Sequence, residues 1–172
     1  KTGILSARKL DCCDISIGNI TVGGTGKTPT AQRVAMMIKK MGYRVAILNR
    51  GYHSHWDKPI GVVSDGEKIY MTSYEAGDEA YLMAKMMPGI PVVIGRRRDV
   101  TGSYAVENLN AEVIVMDDGF QHWRLKRDMD IVLVDTQNLF GNGVMLPGGV
   151  MSEPLSHISR SEERFSRNAE TD

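Results

Sequence analysis

The sequence predicts an α/β fold of three layers, with a mostly parallel central sheet between helices. Two observations predict it: short apolar runs alternate with helical patterns in a β-α-β order, and these runs are nearly continuous in apolar residues, as in strands buried on both faces. The 172 residues are enough for one domain with its own core. We also expect a small β-hairpin insertion.

The first predicted strand, residues 15–17, leads into a glycine-rich loop that ends in Gly26-Lys27-Thr28. Such a loop directs backbone N–H groups and a helix N-terminus at one point, while the lysine adds positive charge and the threonine a hydroxyl for magnesium. The fold is therefore predicted to be P-loop NTPase-like. The phosphate-binding residues we expect are Thr21, Val22, Gly23, Gly24, Thr25, Gly26, Lys27 and Thr28.

This loop is a variant of the Walker A pattern, because Thr21 stands where the strict pattern has glycine. An ordinary glycine turn between a strand and a helix is the alternative. After the loop, apolar residues recur at helical spacing until Gly42, which predicts the first helix and its end. The recurring positions are Val34, Met37, Ile38 and Met41.

Residues 44–48 form the second predicted strand, and Arg50 follows its carboxyl end. Open α/β sheets bind ligands at that edge, so Arg50 either contacts an anion or is a solvated surface arginine. His53 and His55 flank Ser54. With no further ligand nearby, the pattern favours a surface loop over a metal pair.

The insertion and the next helix follow. Residues 60–63 and 68–71 bracket an Asp65-Gly66 turn, which is typical of a hairpin. The helix is predicted over residues 80–87, with a stripe in the core formed by Leu82, Met83 and Met86. Asp78 and Glu79 stand at its start, where a complement to the helix dipole and a role in the site are equally supported.

The third predicted strand, residues 91–94, is followed by Arg96, Arg97 and Arg98, which suit a polyanionic ligand or a solvated face. Helical character follows over residues 99–109. The fourth strand, residues 112–116, ends in Asp117-Asp118. A strand that ends in aspartate beside a phosphate loop has the geometry of a Walker B site. We therefore expect Thr28, Asp117 and Asp118 to hold Mg²⁺. Residues 130–135 are the fifth strand.

Composition narrows the partners. With 21 basic and 21 acidic side chains, the formal net charge is zero, so we expect no nucleic acid partner. Cys12 and Cys13 are adjacent and lack the spacing of a disulfide or a zinc site. The sequence shows neither an apolar run that would span a bilayer nor a signal peptide. We expect a monomer.

Several motifs together resemble the tetraacyldisaccharide 4'-kinase family over roughly residues 14–155. They are Ser16-Ile-Gly-Asn-Ile-Thr-Val-Gly-Gly-Thr-Gly-Lys-Thr-Pro29, Arg50-Gly-Tyr52, Gly77-Asp-Glu79, Asp117-Asp-Gly-Phe-Gln-His122, Phe140-Gly-Asn-Gly143 and Leu146-Pro-Gly-Gly149 with Glu153-Pro154. The resemblance implies phosphorylation of the 4'-hydroxyl of an acylated glucosamine disaccharide 1-phosphate. ATP and Mg²⁺ are the implied cofactors, and the cytoplasmic face of the bacterial inner membrane is the implied location.

The resemblance also implies roles for individual residues. Lys27, Asp118, His122 and Arg50 would act in catalysis, with Gln121 lining the same site. Some family members place an acid directly before an arginine after the third strand, as a general base; here the nearest acid is Asp99, which we expect to fill that role.

The same resemblance predicts the organisation of the chain. We expect a lead-in segment over residues 1–13, a kinase domain over 14–155 and a polar tail over 156–172, with the family's C-terminal lobe missing. Two other functions stay open at this point: another P-loop ATPase or switch of the Gly-Gly-x-Gly-Lys-Thr type, and a nucleotide-binding fragment without turnover.

Overall fold

A computed structural model describes residues 7–19, 26–119, 124–135 and 151, together with the backbone of a strand at 163–167. The strands are β1 (Cys13–Asn19), β2 (Val45–Asn49), β3 (Gly61–Ser64), β4 (Val92–Ile94), β5 (Val113–Asp117), β6 (Met129–Asp135) and β7 (Glu163–Arg167). The helices are α1 (Lys27–Lys40), α2 (Ser73–Ala76), α3 (Asp78–Met86) and α4 (Arg98–Leu109).

The strands form one seven-stranded sheet in the order β3-β4-β2-β5-β1-β6-β7. All neighbouring strands are parallel except β3, which pairs antiparallel with β4 at one edge. Parallel strands bring their carboxyl ends to one edge of the sheet, so the last residues of β1, β2, β4 and β5 all lie at that edge. The predicted mostly parallel α/β fold is confirmed.

Two apolar clusters cover the faces of the sheet and make the three layers. The larger one packs α1 and α3 against one face through Ile17, Ile47, Val115 and Met83, all fully buried. The smaller one packs α4 against the opposite face, and Leu10 joins it from the segment before β1. The predicted lead-in segment is therefore partly built into the core.

The apolar stripes predicted for the helices are only partly buried. In α3, Met83 is fully buried, whereas Leu82 and Met86 are exposed. In α1 the buried residues are Ala31 and Ala35, whereas Met37 and the C-cap residue Met41 are exposed. Small alanines occupy the line of contact with the sheet in α1, and two alanines with Met83 occupy it in α3, so the other long side chains named here fall outside it.

The predicted hairpin is present in reduced form. Its first arm is β3, and Tyr70 donates its backbone N–H to the Val63 carbonyl at 2.9 Å. The second arm is an isolated bridge between Ser64 and Ile69, because β3 pairs instead with β4. Asp65 Oδ1 closes the turn by accepting the Lys68 N–H at 2.7 Å.

The segment predicted as a polar tail contributes a strand to the sheet. β7 lies within the segment predicted as a polar tail, and it pairs with β6 through its backbone. Backbone pairing at a sheet edge needs no apolar pattern, so composition gave no sign of it. Among the described helices, none combines the length and apolarity that a bilayer crossing requires.

Candidate active site at the carboxyl edge of the sheet

Lys27 and Thr28 open α1 directly behind the end of β1. Gly26 precedes them in the left-handed region, with φ 77°, a conformation that glycine adopts without strain. Lys27 Nζ donates to Asn19 Oδ1 at 3.0 Å and lies 3.7 Å from Asp118 Oδ1. The lysine ammonium is therefore held at the carboxyl edge by groups from β1 and from the end of β5. Residues 21–25 of the predicted phosphate loop, Thr21 to Thr25, lie outside the described part of the chain.

The Thr28 hydroxyl lies between two carboxylates. Its Oγ1 is 3.1 Å from Asp117 Oδ2 and also hydrogen-bonds to Glu79 Oε1. A hydroxyl carries one proton, so it can donate fully to only one of the two acceptors at a time. One hydroxyl oxygen and two carboxylate oxygens therefore lie together, at the place where a phosphate-bound cation would lie.

Asp117 is the most constrained acid of this group. It ends β5, its residue is 2% exposed, and Asn49 Nδ2 donates to its Oδ2 at 3.1 Å. Its Oδ1 is buried and has no hydrogen-bond partner among the described residues. Burial, followed by the charge of Glu79, raises the pKa of Asp117 to about 6. A buried carboxylate with an open oxygen favours binding of a cation.

Asp118 occupies a strained position directly after Asp117. Its backbone has φ 55°, in a region that non-glycine residues rarely adopt. Gly119 follows and donates its N–H to the Ile17 carbonyl at 3.0 Å. A Cβ on Gly119 would lie 2.7 Å from the Met116 Cβ, so only glycine allows this close approach. The tight turn directs Asp118 toward Lys27, as the ion pair between them shows.

The three consecutive arginines after β4 divide between the surface and the interior. Arg96 and Arg97 are exposed, whereas Arg98 is 3% exposed. Arg98 Nη1 donates to the Gly95 carbonyl at 2.5 Å and Nη2 to the Asp117 carbonyl at 3.4 Å. Burial lowers the pKa of Arg98 to about 10, against the raising effect of the nearby aspartates. This buried cation partly balances the acids at the end of β5.

Arg50 is exposed and lines a groove of about 960 Å³ at the ends of β2 and β4. The loop that carries Arg50 is fixed at two points. Asn49 Oδ1 accepts the Gly51 N–H at 2.8 Å, and Gly77, with φ 83°, packs so tightly that a Cβ would lie 2.4 Å from the Tyr52 carbonyl. The start of α3, with Glu79, is thereby placed beside the end of β2.

Asp99, the predicted general base, lies in the first turn of α4 and is 6% exposed. Arg97 binds its carboxylate through Nη2 at 2.5 Å and Nε at 3.2 Å. His122, predicted to act in catalysis, and Gln121 lie outside the described residues. His55 stacks on Tyr74 in a surface loop, and the described residues contain no cluster of metal-binding side chains at His53 and His55.

Sequence reasoning missed several polar partners of the site. Asn19 and Asn49 end β1 and β2, the two strands on either side of β5, and contact Lys27 and Asp117 respectively. An asparagine at the end of a buried strand was a signal that could have identified each of them. Glu79 was left open between the helix dipole and the site, and its hydrogen bond to Thr28 places it at the site.

The described residues fit a magnesium ion of the kind that bridges nucleotide phosphates. The Thr28 hydroxyl, the open oxygen of Asp117 and the exposed carboxylate of Asp118 form an oxygen donor set of the type Mg²⁺ prefers. The described part of the chain contains no complete cluster of three or more protein ligands. Mg²⁺ at phosphate sites uses few protein ligands and takes the remainder from water and phosphate.

The lysine and threonine at the start of α1 face a strand that ends in aspartate, and this arrangement defines the P-loop class of phosphate-binding α/β proteins. A family model described as tetraacyldisaccharide-1-P 4'-kinase matches residues 1–167. The chain belongs to this family, and its predicted P-loop kinase fold is confirmed.

Individual proteins that resemble this chain carry the same family name. A tetraacyldisaccharide 4'-kinase from Syntrophus aciditrophicus is 49% identical over 88% of this chain and 41% of its own length. One from Pelobacter propionicus is 45% identical over 92% of this chain and 44% of its own. The crystal structure of LpxK from Aquifex aeolicus in complex with ATP superposes with a TM-score of 0.89 at 39% identity, over 99% of this chain and 52% of that one. The chain spans less than half the length of the two curated relatives.

Proposed function

We propose that the chain forms the nucleotide-binding lobe of a kinase that transfers the γ-phosphoryl group of ATP to the 4'-hydroxyl of an acylated glucosamine disaccharide 1-phosphate. The observation that carries the proposal is the meeting of Lys27, Thr28 and Asp117 at one edge of the sheet. Family membership supplies the acceptor, and the ATP complex of the relative from Aquifex aeolicus supports the donor.

The residues of the chain would act mainly by positioning and by balancing charge, as phosphoryl transfer requires. Lys27 and the loop of residues 21–26 would bind the phosphates of ATP. Thr28, Asp117 and Asp118 would hold Mg²⁺, which supplies charge neutralisation on the transferred group. Arg50, exposed at the neighbouring strand end, would add positive charge beside the reaction centre.

We propose that Asp99 is the general base. We also propose that His122 acts in catalysis and lines the same site. Because Arg97 binds the Asp99 carboxylate, removal of a proton by Asp99 requires that pair to open. The variant Asp99→Asn tests this role through its pH–rate profile in a full-length enzyme. A loss of the acidic limb, where protonation of the base lowers the rate, supports the role, whereas an unchanged profile would exclude Asp99.

The setting of the reaction is also proposed. We propose that the enzyme meets its lipid A precursor at the cytoplasmic face of the bacterial inner membrane, as a peripheral or anchored protein. We propose that it acts as a monomer, at the membrane surface and without nucleic acid. The zero formal net charge is the observation that supports the expectation of no nucleic acid partner.

Calorimetric titration of the purified chain with ATP, with and without Mg²⁺, tests the nucleotide site. We expect Mg²⁺-dependent binding that Lys27→Met weakens by about tenfold or more, since the lysine contributes charge-assisted hydrogen bonds. The exposed Lys40→Met is the matched control. Failure of the wild-type chain to bind ATP with Mg²⁺ would overturn the proposal.

A second assay separates the remaining candidates. Transfer of ³²P from ATP to the acylated disaccharide 1-phosphate is compared with ATP hydrolysis alone. Transfer to the 4'-hydroxyl supports the kinase, hydrolysis without transfer points to another P-loop ATPase, and binding without turnover identifies a nucleotide-binding lobe that needs further protein segments.

A further inference from the structure

The groove beside the acid pair has a position that suits the second substrate of a phosphoryl transfer. It lies at the carboxyl ends of β2 and β4, and β2 is the direct neighbour of β5, which carries Asp117. The phosphate-binding residues lie on the other side of β5, at the end of β1. A molecule in the groove would therefore approach the acid pair from the side opposite to the phosphate loop.

The walls of the groove combine positive charge with aromatic surface. Four of its described lining residues are basic and one is acidic, Asp57. The basic residues are Arg50, Lys58, Arg96 and Arg97. In a chain of zero formal net charge, this concentration of cations is a local feature that favours an anionic ligand.

Trp56 provides a fixed aromatic wall. Its indole Nε1 donates to the Ile60 carbonyl at 2.8 Å, which fixes the ring, and Lys58 Nζ lies 5.1 Å from the ring centroid. An aromatic face next to cations can pack against the apolar face of a sugar ring while the cations bind its phosphate. Tyr52, which also lines the groove, is 66% exposed and adds aromatic surface at the rim.

The groove is mechanically joined to the metal-binding acids. Asn49 donates to Asp117 Oδ2 at 3.1 Å and accepts the N–H of Gly51, a lining residue, at 2.8 Å. One side chain thus sets the position of the groove wall relative to the acid.

We infer that this groove is the subsite for the glycosyl phosphate end of the acceptor, with Arg96 and Lys58 on the phosphate and Trp56 on the sugar ring. The inference rests on the proposed function for the identity of the acceptor. Arg97 has a different part, because its guanidinium pairs with Asp99. The exposed Arg96 and Lys58 are the cations offered to the ligand.

Titration of the complete chain with glucosamine 1-phosphate, inorganic phosphate and glucosamine, followed by NMR, tests the subsite. The Trp56 indole N–H resonance, identified by its loss in Trp56→Phe, reports the groove directly. We expect it to shift with glucosamine 1-phosphate, less with phosphate and least with glucosamine. The binding should weaken at high salt, because exposed cations are screened.

Two variants and a matched control decide the result. Arg96→Gln and Lys58→Gln should each weaken glucosamine 1-phosphate binding by about tenfold, since each removes a charge-assisted contact. Lys40→Gln removes an exposed charge from α1 and should leave it unchanged. Binding of ATP with Mg²⁺ should persist in all three.

The outcomes separate the subsite from the proposed function. If ATP binds but the sugar phosphate does not shift the Trp56 resonance, or binds Arg96→Gln as well as wild type, the subsite is wrong and the nucleotide site stands. Equal affinity for phosphate and glucosamine 1-phosphate would also overturn it, as an adventitious anion only. If the sugar phosphate binds in the groove but ATP does not bind, the proposed function fails.

Discussion

The two edges of the sheet treat buried charge differently. At the amino edge, Asp14 is fully buried at the start of β1, and Lys9 Nζ lies 3.7 Å from its Oδ2 and also pairs with Asp128. Each acid has one buried oxygen without a hydrogen-bond partner among the described residues, Oδ2 of Asp14 and Oδ1 of Asp117. At the carboxyl edge, however, Asp117 shares the Thr28 hydroxyl with Glu79 and is followed by Asp118, whose backbone has φ 55°. Asp14 therefore faces a cation of the protein itself, whereas Asp117 lies beside further acids, an arrangement that leaves it available to a cationic ligand.

The largest expected effect comes from a substitution of Asp117 at the carboxyl edge of the sheet. Asp117→Asn should lower the affinity for ATP with Mg²⁺ by about 100-fold, because it removes the charge that we propose faces the metal. Its thermal stability should stay equal to wild type or rise, since the variant removes a buried carboxylate with an open oxygen. Calorimetric titration and thermal melting measure both. A loss of stability larger than the loss of affinity would show that Asp117 serves the fold.

The second effect tests the close packing of Gly77 against the loop after β2, at the carboxyl edge of the sheet. Gly77→Ala should destabilise the fold by about 2 kcal/mol or more, because φ is positive and the new Cβ would meet the Tyr52 carbonyl. Urea denaturation measures it. Gly42→Ala is the matched control, since Gly42 also has positive φ, 96°, but a Cβ there would meet no atom within 4 Å. Equal losses would assign the cost to backbone strain and none to the contact.

The third effect concerns the amino edge and its pH dependence. Burial raises the pKa of Asp14 to about 6 from the ordinary 3.8. The folded state therefore holds this proton more tightly than the unfolded state, and the resulting stability is complete below about pH 4 and is lost as the pH rises through about 6. Asp14→Asn should be more stable than wild type at pH 7 by about 1–2 kcal/mol. In urea denaturation, the free energy of unfolding of the variant should also depend less on pH between pH 4 and 6 than that of the wild type. A variant that is less stable than the wild type at pH 7 would contradict this account.

The smallest effect sharpens the comparison by removing the cation instead of the acid. Lys9→Gln should destabilise the chain by about 0.5 kcal/mol at pH 7, because a partly exposed ion pair contributes little. At pH 4, where Asp14 is largely protonated in the fold, the loss should shrink. ATP binding with Mg²⁺ should be unaffected, since Lys9 lies at the opposite edge. A change in ATP affinity would mean that the two edges are not independent.

Local pattern predicted the parallel sheet and the meeting of Thr28 with Asp117, because strand order and strand ends fix which residues reach one edge. It could not predict which flank of a helix is buried: Met37 and Leu82 follow the helical period, but the close approach of the sheet favours Ala31 and Ala35. Hydrogen-bond partners from distant segments, such as Glu79 on Thr28, depend on packing that no local pattern contains.

The Asn49 amide has a consequence for the order in which ligands bind. Its NH₂ group donates to Asp117 and its oxygen accepts from the Gly51 N–H. If the amide rotated by half a turn, its oxygen would face the Asp117 carboxylate and its NH₂ group would face the Gly51 N–H, and both hydrogen bonds would be lost. A ligand that orders Asp117 therefore also orders the loop of the groove. Thermodynamic linkage then requires reciprocity: whatever factor bound nucleotide and metal add to the affinity of the groove, a ligand in the groove adds to theirs.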